Sequence, residues 1–101
     1  MTEEVKNLPS EEVQERLQRL QGWEKVGGEE RIERTFLFPD FLTALAFVNR
    51  VAEIAEEQCH HPDIFLTWGK VNLQTWTHST GGLTSKDFRL ASAVNQVYDP
   101  E

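Results

Sequence analysis

Cysteine is almost missing from this chain: Cys59 is the one thiol among 101 residues. No internal disulfide can form, and zinc sites built from several cysteines are excluded, which suits a reducing compartment. Positive charge is also scarce, with 10 Lys and Arg against 17 Asp and Glu and a formal net charge of -7. That balance opposes the phosphate neutralisation behind most non-specific nucleic-acid affinity, so no direct nucleic-acid partner is expected. No apolar run approaches the ~20 residues that span a bilayer, and Met1-Thr2-Glu3-Glu4 lacks the basic and apolar regions of a secretion signal. A cytoplasmic protein with no membrane partner is therefore expected. The chain lacks internal repeats, low-complexity runs and linkers, and its 39% hydrophobic and 27% charged residues are ordinary for a globular protein. Its length suits one core. Residues 1 to 8, polar and acidic, read as a flexible tail, and 9 to 101 as a single domain.

What is present begins with a helix signal at Pro9-Ser10. Ser10 is expected as N-cap, Glu11 and Glu12 suit the positive helix end, Val13, Leu17 and Leu20 recur at helical spacing, and Gly22 is placed to stop the helix. Trp23 to Val26 and Arg31 to Phe38 flank Gly27-Gly28 as a hairpin; Ile32, Arg34, Phe36 and Phe38 share one parity, with Arg34 interrupting an apolar face. Pro39-Asp40 opens a core helix with a predicted stripe of Phe41, Leu45, Val48, Ala52 and Ala55. On that phase Glu56 projects from the apolar stripe, while Glu53 and Glu57 face water.

After Pro62, the runs Ile64 to Trp68 and Val71 to His78 read as strands around a Gly69-Lys70 turn. Val71, Leu73, Thr75 and Thr77 share one face, and Asn72, Gln74, Trp76 and His78 the other. A last helix starts at Thr84, with Asp87 completing a capping box and Leu83 and Phe88 a staple; Leu90, Ala91, Val94, Val97 and Tyr98 would cover the sheet. The order α-β-β-α-β-β-α implies an α+β fold, with three helices on one face of a four-stranded antiparallel sheet.

Chemistry-bearing residues concentrate at Glu56-Glu57-Gln58-Cys59-His60-His61-Pro62, where a helix must end, with His78 the remaining histidine. A pair of histidines there can be a polar helix end, favourable to the C-terminal dipole, or part of a site. Asp87 can likewise be a cap alone, and Trp23 and Trp68 core or lid aromatics. A metal reading would take Glu56, His60 and His78, but adjacent His60 and His61 diverge and no second Glu-x-x-His element exists, so no metal is expected. Nothing signals an activated thiol at Cys59. Imidazoles, with an ordinary pKa of ~6.5, fit acid-base work near neutrality most directly.

The run Glu56-x3-His60-His61-Pro62, then five residues to Trp68, nine to His78 and eight to Asp87, resembles the signature of the pterin-4a-carbinolamine dehydratases. The similarity extends to Gly22-Trp23, Phe38 to Val51, Lys70-Val71, Thr77-His78 and Leu90-Ala91-Ser92. Cys59 departs from the Asp or Asn usual before the histidine pair, and Trp76 from a small hydroxyl residue. The resemblance implies a hydro-lyase of tetrahydrobiopterin recycling, one that dehydrates a 4a-hydroxytetrahydropterin to the quinonoid dihydropterin and needs no cofactor. It implies His60, His61 and His78 as the catalytic set, with Glu56, Trp23 and Asp87 binding substrate: Glu56 orienting an imidazole or the pterin, Trp23 walling the site, Asp87 capping its helix and holding His78. The implied partners are the pterin and further copies of the chain in a dimer or tetramer. The alternative is a non-enzymatic interaction protein, a dimerisation cofactor, with Trp76 on an outward interface.

Overall fold

In the computed structural model, which describes residues 5–98, every expected element forms, but two begin or face differently. Helix α1 (Ser10–Gln18) takes Pro9, not Ser10, as its N-cap, and no side chain caps it. It ends at Arg19, three residues before the expected stop. Gly22 serves the turn that follows. It adopts φ +84°, and a Cβ there would meet the Arg34 guanidinium at 2.4 Å, so both backbone conformation and close approach require glycine.

Strands β1 (Glu24–Lys25) and β2 (Ile32–Leu37) form the predicted hairpin. β3 (Asp63–Thr67) and β4 (Lys70–Thr75) follow helix α2 (Phe41–Gln58), and α3 (Ser85–Val97) closes the order. All pairings are antiparallel, with β2 and β4 central in the order β1-β2-β4-β3. Ile32, Phe36, Val71 and Leu73 are fully buried on one sheet face, and all three helices supply that core, with Val13 from α1, Phe47 and Val51 from α2, and Leu90 and Val94 from α3. The fold is the expected α+β arrangement. The opposite face carries a polar network, in which Asn72 donates to Glu33 and Thr35 and Gln74 to Glu33, together with the exposed Leu37 and Phe65. Of the expected tail, residues 1–4 lie outside the described residues, whereas Leu8 donates its N–H to Leu83 O at 2.8 Å.

Arg34 does interrupt the inward face, and the fold accommodates it. Its guanidinium donates to Gln21 O and Asn95 Oδ1 and lies 4.6 Å from the Phe36 ring centroid. Burial lowers its pKa from the ordinary value, with the charge interaction at Tyr98 acting the other way. Asn95 Oδ1 also accepts from Trp23 Nε1, tying the chain after α1 to α3.

Helix α2 begins as predicted. Asp40 caps it through Thr43 N–H at 2.8 Å, and that residue's hydroxyl and N–H hold the Asp40 carboxyl below its ordinary pKa. Its phase differs from the prediction. The buried stripe is Ala44, Phe47, Val51 and Ala55, rotated by about 75° from the expected one at 100° per residue. Phe41 and Ala52 are exposed and Leu45 and Val48 half-buried, and Glu56, expected inward, is exposed with its neighbours Glu53 and Glu57.

Candidate active site

The end of α2 sets the site. Cys59 adopts φ 53°, ψ 41°, and its N–H reaches back to Ala55 O and Glu56 O; His60 N–H bonds Ala55 O at 3.1 Å. This left-handed residue reverses the chain immediately after the helix. The two adjacent imidazoles consequently part: His60 turns into the protein and His61 stays out. His61 Nε2 lies 2.6 Å from Glu56 Oε2, with side chains 60% and 77% exposed, so solvent screens the pair and its value is orientation rather than stability. Glu56 thus reaches an imidazole from the wet side of the helix. The helical pairing of Glu56 with His60 does not form, because His60 lies beyond the helix.

His60 meets Asp87, which is 0% exposed. The Asp87 carboxylate sits at the N-terminus of α3, where Thr84 caps the helix and Asp87 Oδ2 accepts the Thr84 N–H at 3.0 Å in a capping box. The same Oδ2 takes the Thr77 hydroxyl at 2.8 Å, and Oδ1 takes the Thr75 hydroxyl at 2.7 Å and His60 Nε2 at 2.6 Å. The accounting closes when all four partners donate. Lys86 N–H donates to Thr84 Oγ1, which donates to Thr77 Oγ1 at 2.7 Å, which donates to Asp87. With Nε2 donating to Oδ1, the His60 ring nitrogen left without a partner among the described residues is Nδ1. Sequence reasoning placed Asp87 as cap and as holder of His78; the first role is seen, while the imidazole it holds is that of His60.

His60, His61 and His78 come together around one cleft of about 240 Å³, also lined by Cys59, Trp76, Thr77, Ser79 and Lys86. Strand β4 ends at Thr75, and Thr77 pairs with Gly82 in an isolated bridge, so a tight turn presents His78 at the rim. No hydrogen bond between described residues holds the His78 ring; it stacks on Trp76 with centroids 4.3 Å apart. Trp23 does not join them. It is 5% exposed, packed edge-on against Phe36 within the core, so the wall expected of it is not where it sits. Trp68 lies in the β3–β4 turn and is 69% exposed, away from the cleft lining. Thr75, Thr77 and Thr84 went unnoticed as site residues in the sequence. Their signal was available: two threonines on the buried parity of a strand need polar partners.

The whole arrangement can be set beside known proteins. Residues 6–97 match the family model described as pterin 4 alpha carbinolamine dehydratase. A Chlorobium limicola protein named "Putative pterin-4-alpha-carbinolamine dehydratase" is 45% identical over 94 residues, covering 91% of this chain and 83% of that protein. A Roseiflexus protein of the same name is 48% identical over 90 residues, 89% of this chain and 95% of its own. Among solved structures, a transcriptional coactivator/pterin dehydratase from Brucella melitensis superposes with a TM-score of 0.90 at 38% identity, over 93% of this chain and 100% of that one. A pterin dehydratase-like RuBisCO assembly factor of the alpha-carboxysome shares the fold at TM-score 0.63 and 22% identity, over 75% of this chain and 88% of its own. Matched across nearly its whole length at this level of identity, the chain belongs to the pterin-4-alpha-carbinolamine dehydratase family.

Proposed function

We propose that the protein is a hydro-lyase that converts a 4a-hydroxytetrahydropterin to the quinonoid dihydropterin and water. The observation that carries this reading is the convergence of three imidazoles on one small cleft, one of them anchored by a buried carboxylate. In the reaction the C4a–O bond breaks, the departing hydroxyl takes up a proton to leave as water, and N5 gives up its proton as the C4a=N5 bond forms. The proton count balances, so a donor and an acceptor on either side of the ring suffice. His60, with Nε2–H committed to Asp87, offers Nδ1 as the acceptor. His78, whose ring no hydrogen bond among the described residues fixes, serves as donor, while His61, oriented by Glu56, is the third imidazole lining the cleft. Asp87 acts through His60 rather than on the pterin, and Glu56 through His61.

The cleft lies just below the ~300–1,000 Å³ usual for small-molecule sites, which fits a compact bicyclic ring and not a dinucleotide. The deciding measurement follows 4a-hydroxytetrahydropterin by ultraviolet absorbance with and without protein, in chelator. Loss no faster than in buffer overturns the reading.

A second role as an interaction protein draws on a different observation. Along α2 the exposed Phe41 and Ala52 and the half-buried Leu45 and Val48 leave an apolar stripe outside the core, and Leu42, Leu37, Phe65 and Trp68 are further exposed apolar side chains of the surface. Such a stripe supports assembly into a homo-oligomer, a dimer or tetramer, and light scattering on the purified chain tests it: a strictly monomeric protein at micromolar concentration refutes it. Trp76 is not part of that surface, since it is half-buried between Arg31 and His78. No helix among the described residues is long and apolar enough to cross a membrane.

A further inference from the structure

We propose that Trp76 is a positioning residue for His78, fixing by stacking the one imidazole of the cleft that no hydrogen bond among the described residues orients; the inference rests on the dehydratase reading above. The other two imidazoles have carboxylate anchors, Asp87 for His60 and Glu56 for His61. His78 stands exposed on the turn after β4, where an untethered ring would sample several rotamers. Among the described residues its one aromatic ring contact is the Trp76 indole, 4.3 Å between centroids and tilted by 35°. The indole has a second partner. The Arg31 guanidinium lies 4.1 Å from its centroid, and Arg31 is held by Gln74 Oε1 at 2.9 Å and Glu29 Oε1 at 3.0 Å. Guanidinium, indole and imidazole thus form a contiguous group that links the β1–β2 hairpin to the rim of the cleft.

Arg31 and His78 both lie close to the indole, which also lines the cleft, and a substitution in the H78A background separates a contribution made through His78 from direct contact with substrate. Trp76 also packs against the core cluster, so a purely structural role is the competing account. The two accounts differ in what a second substitution does.

The test combines turnover with nuclear magnetic resonance on the intact protein. In the unmodified chain the His78 ring protons are expected upfield of free imidazole, with nuclear Overhauser contacts to the indole. W76L should remove that shift and lower kcat by about ten- to 10²-fold, the scale of a misplaced catalytic group, with KM little changed. W76F, which keeps an aromatic face, should recover most of the rate. In an H78A background W76L should cost nothing further, because the residue it positions is gone. Turnover lost equally in W76F and W76L, a further loss in the H78A background, or a His78 ring unshifted in the unmodified chain overturns the positioning role. A lack of turnover in the unmodified chain refutes instead the dehydratase reading on which its catalytic consequence depends, and the resonance of His78 still decides the stack.

Discussion

Replacing Asp87 with Asn tests the centre of the site, because it changes one atom and removes one charge from a carboxylate with four donors around it. Those donors are His60 Nε2, the Thr75 and Thr77 hydroxyls and the Thr84 N–H. An amide can accept on one side only. The Thr84 N–H cannot turn, so the amide oxygen must take the place of Oδ2, facing Thr84 and Thr77. The amide NH₂ then faces Thr75 and His60. Thr75 can rotate its hydroxyl to accept, and His60 can accept only if its hydrogen moves from Nε2 to Nδ1. Bonds to a charged acceptor at ~1.5–3 kcal/mol become neutral ones at ~0.5–1.5, offset by burying no charge, so D87N should cost about 1–3 kcal/mol. At ~4–8 °C per kcal/mol for a domain of this size, the chain stays folded with a lowered Tm. Activity should fall much more, by ~10²–10⁴-fold, because Nδ1 changes from acceptor to donor at the cleft. Absorbance kinetics, a thermal melt and nitrogen-15 spectra of the imidazoles read the three effects separately. A D87N protein with unaltered kcat, or with His60 still protonated on Nε2, refutes the hydrogen-bond accounting.

The other predictions address the ends of α2 and the cleft rim. C59N places at the left-handed position a residue that tolerates it and should raise stability by up to ~1 kcal/mol, seen as a higher Tm; an unchanged or lower Tm would show that the backbone there is unstrained. D40A should lower Tm at pH 7, whereas D40N keeps a capping acceptor. Because the Asp40 pKa is depressed in the folded state, its contribution is present above the ordinary value of ~3.9 and is lost as pH falls through the folded one. The Tm gap between wild type and D40A should accordingly shrink in acid, and a gap unchanged at low pH contradicts the assignment. Cys59 lines the cleft and is the sole thiol, so iodoacetamide should add one adduct, read by mass, and a bound pterin analogue should slow it; equal rates with and without the analogue would place binding elsewhere.

Much of this was legible in the residues, and the failures have physical causes. The capping box at Thr84 and Asp87 and the inward Thr75 and Thr77 follow from fixed local geometry, so they could be read directly. The phase of α2 could not. Apolar residues occupy more than one face of that helix, and two overlapping stripes both satisfy a period of 3.6. Burial selected Ala44, Phe47, Val51 and Ala55 because they face the sheet and α3, a tertiary fact that periodicity does not carry. Trp23 misled for a related reason: an aromatic after a helix stop fits a core as well as a lid, and the Asn95 acceptor that decides it lies far along the chain.

The error over Glu56 also shows how the site is built. On the observed phase its position lies about 135° from the buried stripe, where helix geometry alone offers it no imidazole. It meets His61 because Cys59 reverses the chain and brings the next residues back along the helix end. The same reversal sends His60 inward to the start of α3, so the two imidazoles owe their separate partners to one left-handed residue. Asp87 then ties that reversal to the cap of another helix, which makes the α3 N-terminus and His60 a single mechanical unit. A consequence follows for T84A. Removing the hydroxyl deprives Thr77 of its donor and loosens the cap, at ~1 kcal/mol for the cap alone, while the Thr84 N–H still holds Oδ2. Turnover should therefore survive T84A far better than D87N, although both lower Tm. If T84A abolished activity at full folding, the carboxylate would be steered by the hydroxyl chain rather than by the backbone N–H.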